Sequence, residues 1–322
     1  MNESNLTNSE FKLSQTAIDK LNQFEEQLNP AQPEAGPYSP KIIGYGEMST
    51  VFRFDDNDLQ SLAFKRMAVF ENESEIAPYE NNYHEYSKIL NETGITTPRH
   101  GVQKVTRQGK PILYIYQEMI DPKNIGHKYI QTATNDEAVQ LFRIILKKFQ
   151  LNFERNEAHP EYKLGLDGQI SNWALVQKDT DSVVYLDTST PMIQKDGVEQ
   201  LDSELFLRIC PSYLVWAIRL FFLKDVLTRY YDLRLVIIDL IGNLNKEQRP
   251  DLIDIFLKEA NQFLAGNFKS IKPVTRKEID SYYKEDAWIW RIFLAFRQLE
   301  RFIKTKIQRK EYGLILPGKV KR

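Results

Sequence analysis

Apolar positions change period along the chain, and the changes divide it into three stretches. After about ten polar residues, Ala17, Leu21, Phe24 and Leu28 fall at helical spacing and predict a first helix. Four prolines and a glycine between Asn29 and Pro40 then remove backbone donors and helical continuity, which marks a linker. From Lys41 the period drops to two. Short β-rich runs at 41–43, 50–54, 62–67, 102–106 and 112–117 predict five strands, with turns at Asp55 to Asp58 and Gln108-Gly109. One helix interrupts them over about 77–92, with Tyr79, Tyr83, Tyr86 and Leu90 on one face and Gly94 as its stop. Beyond Asp121 the pattern turns helical: Val139, Phe142, Leu146, Phe149 and Phe153 mark a long helix over 136–156, and further helical patterns run from Leu201 onward. The exception is a hairpin, 173–177 and 183–186, joined by Lys178 to Ser182. The expected architecture is α+β: an N-terminal helix and Pro-rich linker (1–40), a small lobe of five antiparallel strands and one helix (41–120), and a larger, mainly helical lobe (121–322).

Composition narrows the class. At 322 residues, 42% hydrophobic and 27% charged, the chain has material for two packed domains and is neither fibrous nor disordered. The single cysteine, Cys210, excludes an intramolecular disulfide, and no Cys or His cluster has metal-ligand spacing, which suits a reducing, cytoplasmic setting. His84, His100, His127 and His159 stand apart and receive no role. The polar, acidic start does not read as a signal peptide. The most apolar stretch, Tyr213 to Ile241, is interrupted by Arg219, Lys224, Asp225, Arg229, Asp232 and Arg234, so no transmembrane segment is expected.

Candidate chemistry lies in an ordered series. Gly44-Tyr45-Gly46-Glu47-Met48-Ser49-Thr50-Val51 sits between two expected strands, where glycines let backbone amides approach phosphate oxygens. Ala63-Phe64-Lys65 lies on the next strand, and the tyrosine-faced helix carries Glu80 and Glu85. An apolar strand ends in Gln117-Glu118-Met119 before Pro122. After the long helix, Asp167 and Asn172 are five residues apart, and Asp187 ends the second hairpin strand 20 residues after Asp167. An amide and a carboxylate on neighbouring loops offer the oxygen donors that a hard cation needs. Taken singly, each piece is an ordinary turn, strand lysine or cap.

In this order the series resembles the protein-kinase superfamily over about residues 41 to 190. The resemblance implies a two-lobed kinase-like fold that binds ATP and Mg2+. Gly44, Gly46, Ser49 and Val51 would form the phosphate loop, with Ser49 where the third glycine usually stands. Ala63 would line the nucleotide site, and Lys65 would hold the α- and β-phosphates with Glu85, or secondly Glu80, as its partner. Glu118 and Met119 would meet adenine through backbone groups. Asp167 would be the catalytic base, and Asn172 and Asp187 the metal ligands, within a catalytic loop and hairpin spanning 164–190.

Departures shift the reading within the superfamily. Gly165-Leu166 replaces the usual His-Arg or His-Gly, Gln169 takes the place of a frequent lysine, and neither a glycine after Asp187 nor an Ala-Pro-Glu follows. The chain is therefore similar to aminoglycoside phosphotransferases and choline kinases, which implies transfer of the γ-phosphoryl group to a hydroxyl of a small molecule. A nucleotide-binding pseudokinase and a divergent protein kinase remain open beside it. An acceptor pocket would draw on the aromatic segment holding Trp216, Phe221, Phe222, Tyr230, Tyr231, Trp288 and Trp290, although aromatics at helical spacing usually form core.

Charge adds one more candidate. Net charge is −1, yet residues 266–322 hold 15 Lys or Arg against 6 Asp or Glu, a local +9 beside a body of about −10. Trp288, Ile292, Phe296, Leu299 and Ile303 recur at helical spacing and are expected to pack on the helical lobe. Arg297, Arg301 and Lys304 would form a separate stripe, with Lys306, Arg309, Lys310, Lys319, Lys321 and Arg322 beyond it, available to an anionic partner or neutralising the acidic body.

Overall fold

In the computed structural model, which describes residues 11–46, 48–177, 182–208, 215, 228–309 and 312–316, the alternation of the first strands becomes a two-faced sheet. Strands β1 (Lys41–Tyr45), β2 (Ser49–Arg53), β3 (Leu62–Met67), β4 (His100–Arg107) and β5 (Lys110–Glu118) pair antiparallel in the order β1-β2-β3-β5-β4. Successive side chains point to opposite faces. Phe52, Phe64, Tyr114 and Tyr116 therefore share one core with Ala17, Leu21 and Phe24 of helix α1 (Gln15–Gln27). Met67, Leu113 and Ile115 share another with Ile76, Tyr79 and Tyr83 of α2 (Ile76–Glu92).

Helix α1, capped by the Ser14 hydroxyl, is fixed to the sheet by more than apolar burial. Arg66 is 3% exposed and pairs with Glu25, which is fully buried. Arg107 donates to the Leu28 carbonyl at 2.7 Å and also to that of Glu25. A buried pair leaves an uncompensated charge when either partner is removed, so it fixes where the helix sits more than it adds to stability.

Beyond β5 come α3 (Gly126–Thr132) and α4 (Asn135–Ala158), the latter started by a capping box between Thr134 and Glu137. The buried stripe of α4 meets α6 (Leu233–Gly242) and α7 (Ile253–Asn267) in one core, with Phe142 and Phe256 stacked at 4.2 Å. Between them lie the hairpin β7 (Trp173–Gln177) and β8 (Ser182–Tyr185) and a three-stranded sheet of β6 (Tyr162–Leu164), β9 (Ile193–Lys195) and β10 (Val198–Glu199). That second sheet is absent from the sequence reading, because two- and three-residue strands give no periodic signal. Helix α5 (Ser203–Arg208) follows it. The hairpin residues Lys178 to Asp181, along with Cys210, Trp216, Phe221, Phe222, Lys310, Lys319, Lys321 and Arg322, lie outside the described residues.

The last helix, α8 (Arg276–Phe302), corrects one expectation. Its inward residues are Ile279, Ala287 and Arg297, with Phe293 against the core beneath the sheet. Trp288 and Leu299, expected to pack inward, are 59% and 47% exposed, whereas Arg297, expected on an outer stripe, is 4% exposed with its guanidinium over the Phe293 ring. The helix is apolar on two faces, and periodicity alone does not say which one meets the body. No helix among the described residues is long and apolar enough to cross a membrane.

His100, at the start of β4, is 9% exposed, and its Nδ1 lies 2.7 Å from the Tyr83 hydroxyl. Burial, with a smaller contribution from His84, lowers its pKa from 6.5 to about 4. The unfolded chain therefore binds this proton more readily than the folded one. Stability from this residue is complete above about pH 6.5 and declines as pH falls toward 4, by roughly 3 kcal/mol in total. Urea unfolding across that range should show the slope, and His100→Gln, which keeps an acceptor for Tyr83, should flatten it.

Candidate active site

The arrangement of β3 decides which residues reach the site. Phe64 and Arg66 are buried toward α1, so Ala63, Lys65 and Met67 must face the other way. Lys65 extends toward the end of β8, where its ammonium donates to Asp187 Oδ1 at 2.8 Å and to the Leu186 carbonyl at 3.1 Å, with Ser189 Oγ 3.5 Å away. Ser189 in turn donates to Asp187 Oδ1 at 2.7 Å, and Tyr79 of α2 donates to the Ser189 carbonyl at 2.6 Å. Burial opposes ionisation of Asp187. The Lys65 charge and the bonds from Lys65 and Ser189 outweigh it and hold the carboxyl below its ordinary pKa.

The Asp167 to Asn172 loop lies alongside. The Asn172 carbonyl accepts from the Leu186 amide at 2.8 Å, which ties the loop to the residue before Asp187. Asp167 Oδ1 accepts from the Gln169 amide at 3.1 Å, a local turn that fixes the carboxylate. Asn172 Nδ2 points back to the Asp167 carbonyl at 3.4 Å. Burial pushes up the phenols of Tyr86 and Tyr185, and both Asp187 and Asp167 push them further, so the two carboxylates act on one small region.

Groups from three other parts of the chain hold the Gly165-Leu166 segment. Tyr86 donates to the Gly165 carbonyl at 2.8 Å, and the Gly165 and Leu166 amides donate to the Met192 and Tyr230 carbonyls at 2.9 Å each. A Cβ on Gly165 would come within 2.8 Å of Met192 and 3.1 Å of Tyr231, so a side chain at this point has no room. Lys246, in the turn after α6, donates to Gln169 Oε1 at 2.9 Å and brings an ammonium to the loop from a distant segment. Neither Lys246 nor the tyrosine braces carry a sequence signal, since a lone surface lysine and tyrosines on an apolar helix face are unremarkable in themselves.

Glu85 is a correction. It binds Lys195 at 3.0 Å and not Lys65, and it lines a separate cavity of about 470 Å3 with Glu92, Arg155 and Tyr162. Burial disfavours its charge, but Tyr162 and Lys195 hold it below its ordinary pKa. Six residues of α2, about 1.7 turns, put Tyr79, which reaches Ser189, and Glu85, which faces the second sheet, on different sides of the helix.

The remaining expected residues are placed as follows. Gly44 pairs with Val51, and Val51 with Lys65, so the glycine turn is one strand from the ammonium. The Gly46 amide donates to the Ser49 carbonyl at 2.9 Å and closes a tight turn. Its Met48 is 5% exposed and packs in the core beneath the sheet, where Phe293 and Leu314 also lie. At the other side, the Glu118 amide donates to Arg99 and the Met119 amide to Ser61, at 2.9 and 2.8 Å. Donors to a base edge therefore cannot come from these two amides.

A divalent cation fits the donor set in kind. Asp187 and Asn172 belong to hydrogen-bonded neighbouring segments, and no donor among the described residues reaches Asn172 Oδ1. Magnesium is commonly held by one or two protein oxygens together with phosphates and water, so a cluster of three acidic ligands, absent among the described residues, is not required.

A family model described as a family of unknown function, DUF6206, matches residues 31–301. No curated protein matches the chain. Among solved structures, the GDP and kanamycin complex of APH(2")-IIia is 13% identical at a TM-score of 0.31, covering 78% of this chain and 100% of that one. WaaP in complex with acyl carrier protein is 12% identical at 0.32, covering 78% and 98%. A GDP complex of an aminoglycoside 2'-phosphotransferase mutant is 12% identical at 0.30, covering 72% and 93%. Likeness at such scores carries no weight for function, which rests on the residues themselves.

Gly168 tests how tightly the loop is held. A Cβ there would lie 2.4 Å from Val236 and 2.5 Å from Phe149, both in the helical core. Gly168→Ala should destabilise the protein by roughly 1–3 kcal/mol in urea unfolding. Gly266→Ala in α7, where a Cβ meets nothing, should leave it unchanged or slightly more stable.

Proposed function

We propose that this chain, which belongs to the family of unknown function DUF6206, is an ATP- and magnesium-dependent phosphotransferase acting on a hydroxyl of a small molecule. The observation that carries this reading is the 2.8 Å contact of Lys65 with Asp187 beside the Asp167 to Asn172 loop. A two-lobed kinase-like cleft requires a phosphate-holding ammonium, a metal-holding carboxylate and a base to meet in this way.

Lys65 holds nucleotide phosphates, and the glycine turn one strand away offers its backbone to them. As the ammonium turns to the phosphates, the Asp187 carboxylate becomes available to a cation, with Asn172 Oδ1 as the second protein donor. Asp187 and Asn172 are the residues that would hold magnesium, whose positive charge would offset that of the nucleotide phosphates. Asp167 accepts the proton of the acceptor hydroxyl, its orientation set by the Gln169 amide. Lys246, held on Gln169, places a positive charge near the transferred group, where electrostatic stabilisation is greatest. The second reading, a nucleotide-binding regulator without turnover, is favoured by the engaged amides of Glu118 and Met119 and by the absence of a Lys65–Glu85 pair.

Millimolar ATP with magnesium should raise the melting temperature, and Asp187→Asn should abolish most of that shift. A folded wild-type protein with no shift would exclude both readings. ATP turnover should fall about 10²–10⁴-fold in Asp167→Asn with the thermal shift retained, and about tenfold in Lys246→Ala. A shift without any turnover across candidate acceptors favours the regulator.

A further inference from the structure

Helix α8 presents outward part of the stripe that its sequence pattern assigns to the core: Trp288 and Leu299 are exposed, whereas Ile292, Phe296 and Ile303 are half-buried. Nine large hydrophobic residues are exposed among the described residues, and four of them, Trp288, Leu299, Phe302 and Ile307, fall within 20 residues of this one element. Steps of eleven and three keep Trp288, Leu299 and Phe302 on one side of an α-helix. Ile307 would leave that side if the helix continued unchanged. Instead, residues Ile303–Ile307 form a π-helical turn, closed by the Gln308 amide on the Ile303 carbonyl at 2.9 Å. A π turn advances less per residue than an α turn, so it brings Ile307 round toward the same stripe.

The charges bordering this stripe are mainly basic: Lys284, Arg291 and Lys306 are exposed beside it, and Glu285, three residues before Trp288, is an exposed acid on that side. Residues 288–309 hold six Lys or Arg and a single acid, Glu300. Glu300 is neutralised by Lys304 at 2.9 Å. Arg297 is turned inward, and Arg291, Arg301, Lys306 and Arg309 are exposed. The helix is also a fixed platform. Its inner residues Ala287 and Arg297 are buried, and Trp290 and Arg297 line the narrow space beside Tyr45, Gly46 and Ser49 of the glycine turn.

We propose that the outer face of α8 and its π-helical extension is a docking surface for an anionic lipid bilayer, with Trp288, Leu299, Phe302 and Ile307 entering the interface and the flanking cations meeting lipid phosphates. A convex stripe bordered by cations suits a plane of acyl chains and charged headgroups. A second copy of the chain would bring two positive faces together, which like-charge repulsion opposes. A convex face also offers no groove to an extended peptide. Docking here is peripheral, consistent with the lack of a membrane-spanning helix among the described residues. The inference is independent of phosphoryl transfer and is tested without it.

The full chain is sedimented with phosphatidylcholine vesicles, with and without phosphatidylserine, at low and high salt. Binding should require phosphatidylserine and weaken steeply as salt rises. Trp288→Ser with Phe302→Ser, both more than half exposed and so outside the core, should reduce binding about tenfold or more with melting temperature unchanged. Arg291→Glu with Lys306→Glu should reduce it roughly thirtyfold. A folded chain that ignores anionic vesicles overturns the proposal, as does binding that neither double variant weakens. A dimer in light scattering that Trp288→Ser with Phe302→Ser dissolves would assign the face to a second copy. Poly-glutamate binding with that same dependence, in place of vesicle binding, would assign it to an acidic protein.

Discussion

The contact between Lys65 and Asp187 joins residues 122 positions apart and holds the candidate site in register. Its geometry is dictated from both sides. On the sheet, Phe64 and Arg66 are committed to the core under α1, so the pleat leaves Lys65 one direction to point. On the hairpin, the Leu186 amide is bonded to the Asn172 carbonyl, so Asp187 cannot move without moving the Asp167 loop. The ammonium is 11% exposed and the carboxylate 27%, enough shelter for their attraction to exceed that of a surface pair. Ser189, Tyr79 and the Leu186 carbonyl complete the hydrogen bonding that such a pair needs.

Much of this was legible in the sequence where a signal was local and periodic. The five strands appear close to their expected ranges because each is a β-rich run of five to nine residues bounded by turn signals, and α2 and α4 follow their apolar stripes. Lys65, Asp167, Asn172 and Asp187 came from spacing and order, and the structure brings the segments that carry them together. Glu85 failed because a helix with several carboxylates does not reveal which one a distant strand will meet. Tyr79 and Tyr86 looked like core residues and are core residues. Their hydroxyls reach Ser189 and Gly165 only because α2 crosses above both loops. Helix α8 was misread for a related reason. With Ile279, Ala287 and Phe293 on one side and Trp288, Leu299 and Phe302 on another, either side could have been buried, and the sheet decided.

The glycine turn is joined to more of the chain than its sequence suggests. Met48 fills a core position between strands and α8, and the space beside the turn is closed by Trp290, Arg297, Leu314 and Ile315. A loop held in this way has lost conformational freedom before any ligand arrives. Ordering it on binding therefore costs less than ordering a free flap.

The returning segment 312–316 has a further consequence. Ile315 belongs to the same core as Phe24, Phe52 and Phe64, and the Gly313 carbonyl accepts from Arg66 at 3.1 Å, across 247 positions of sequence. The sheet thus shares its interior with both the beginning of the described chain and its end. During synthesis the strands leave the ribosome long before residue 315 does, so part of the sheet's interior stays open until that residue emerges. Loop closure over such a separation is slow, and the exposed apolar face is prone to association in the interval. A chain interrupted before residue 315 would be left in that incomplete state.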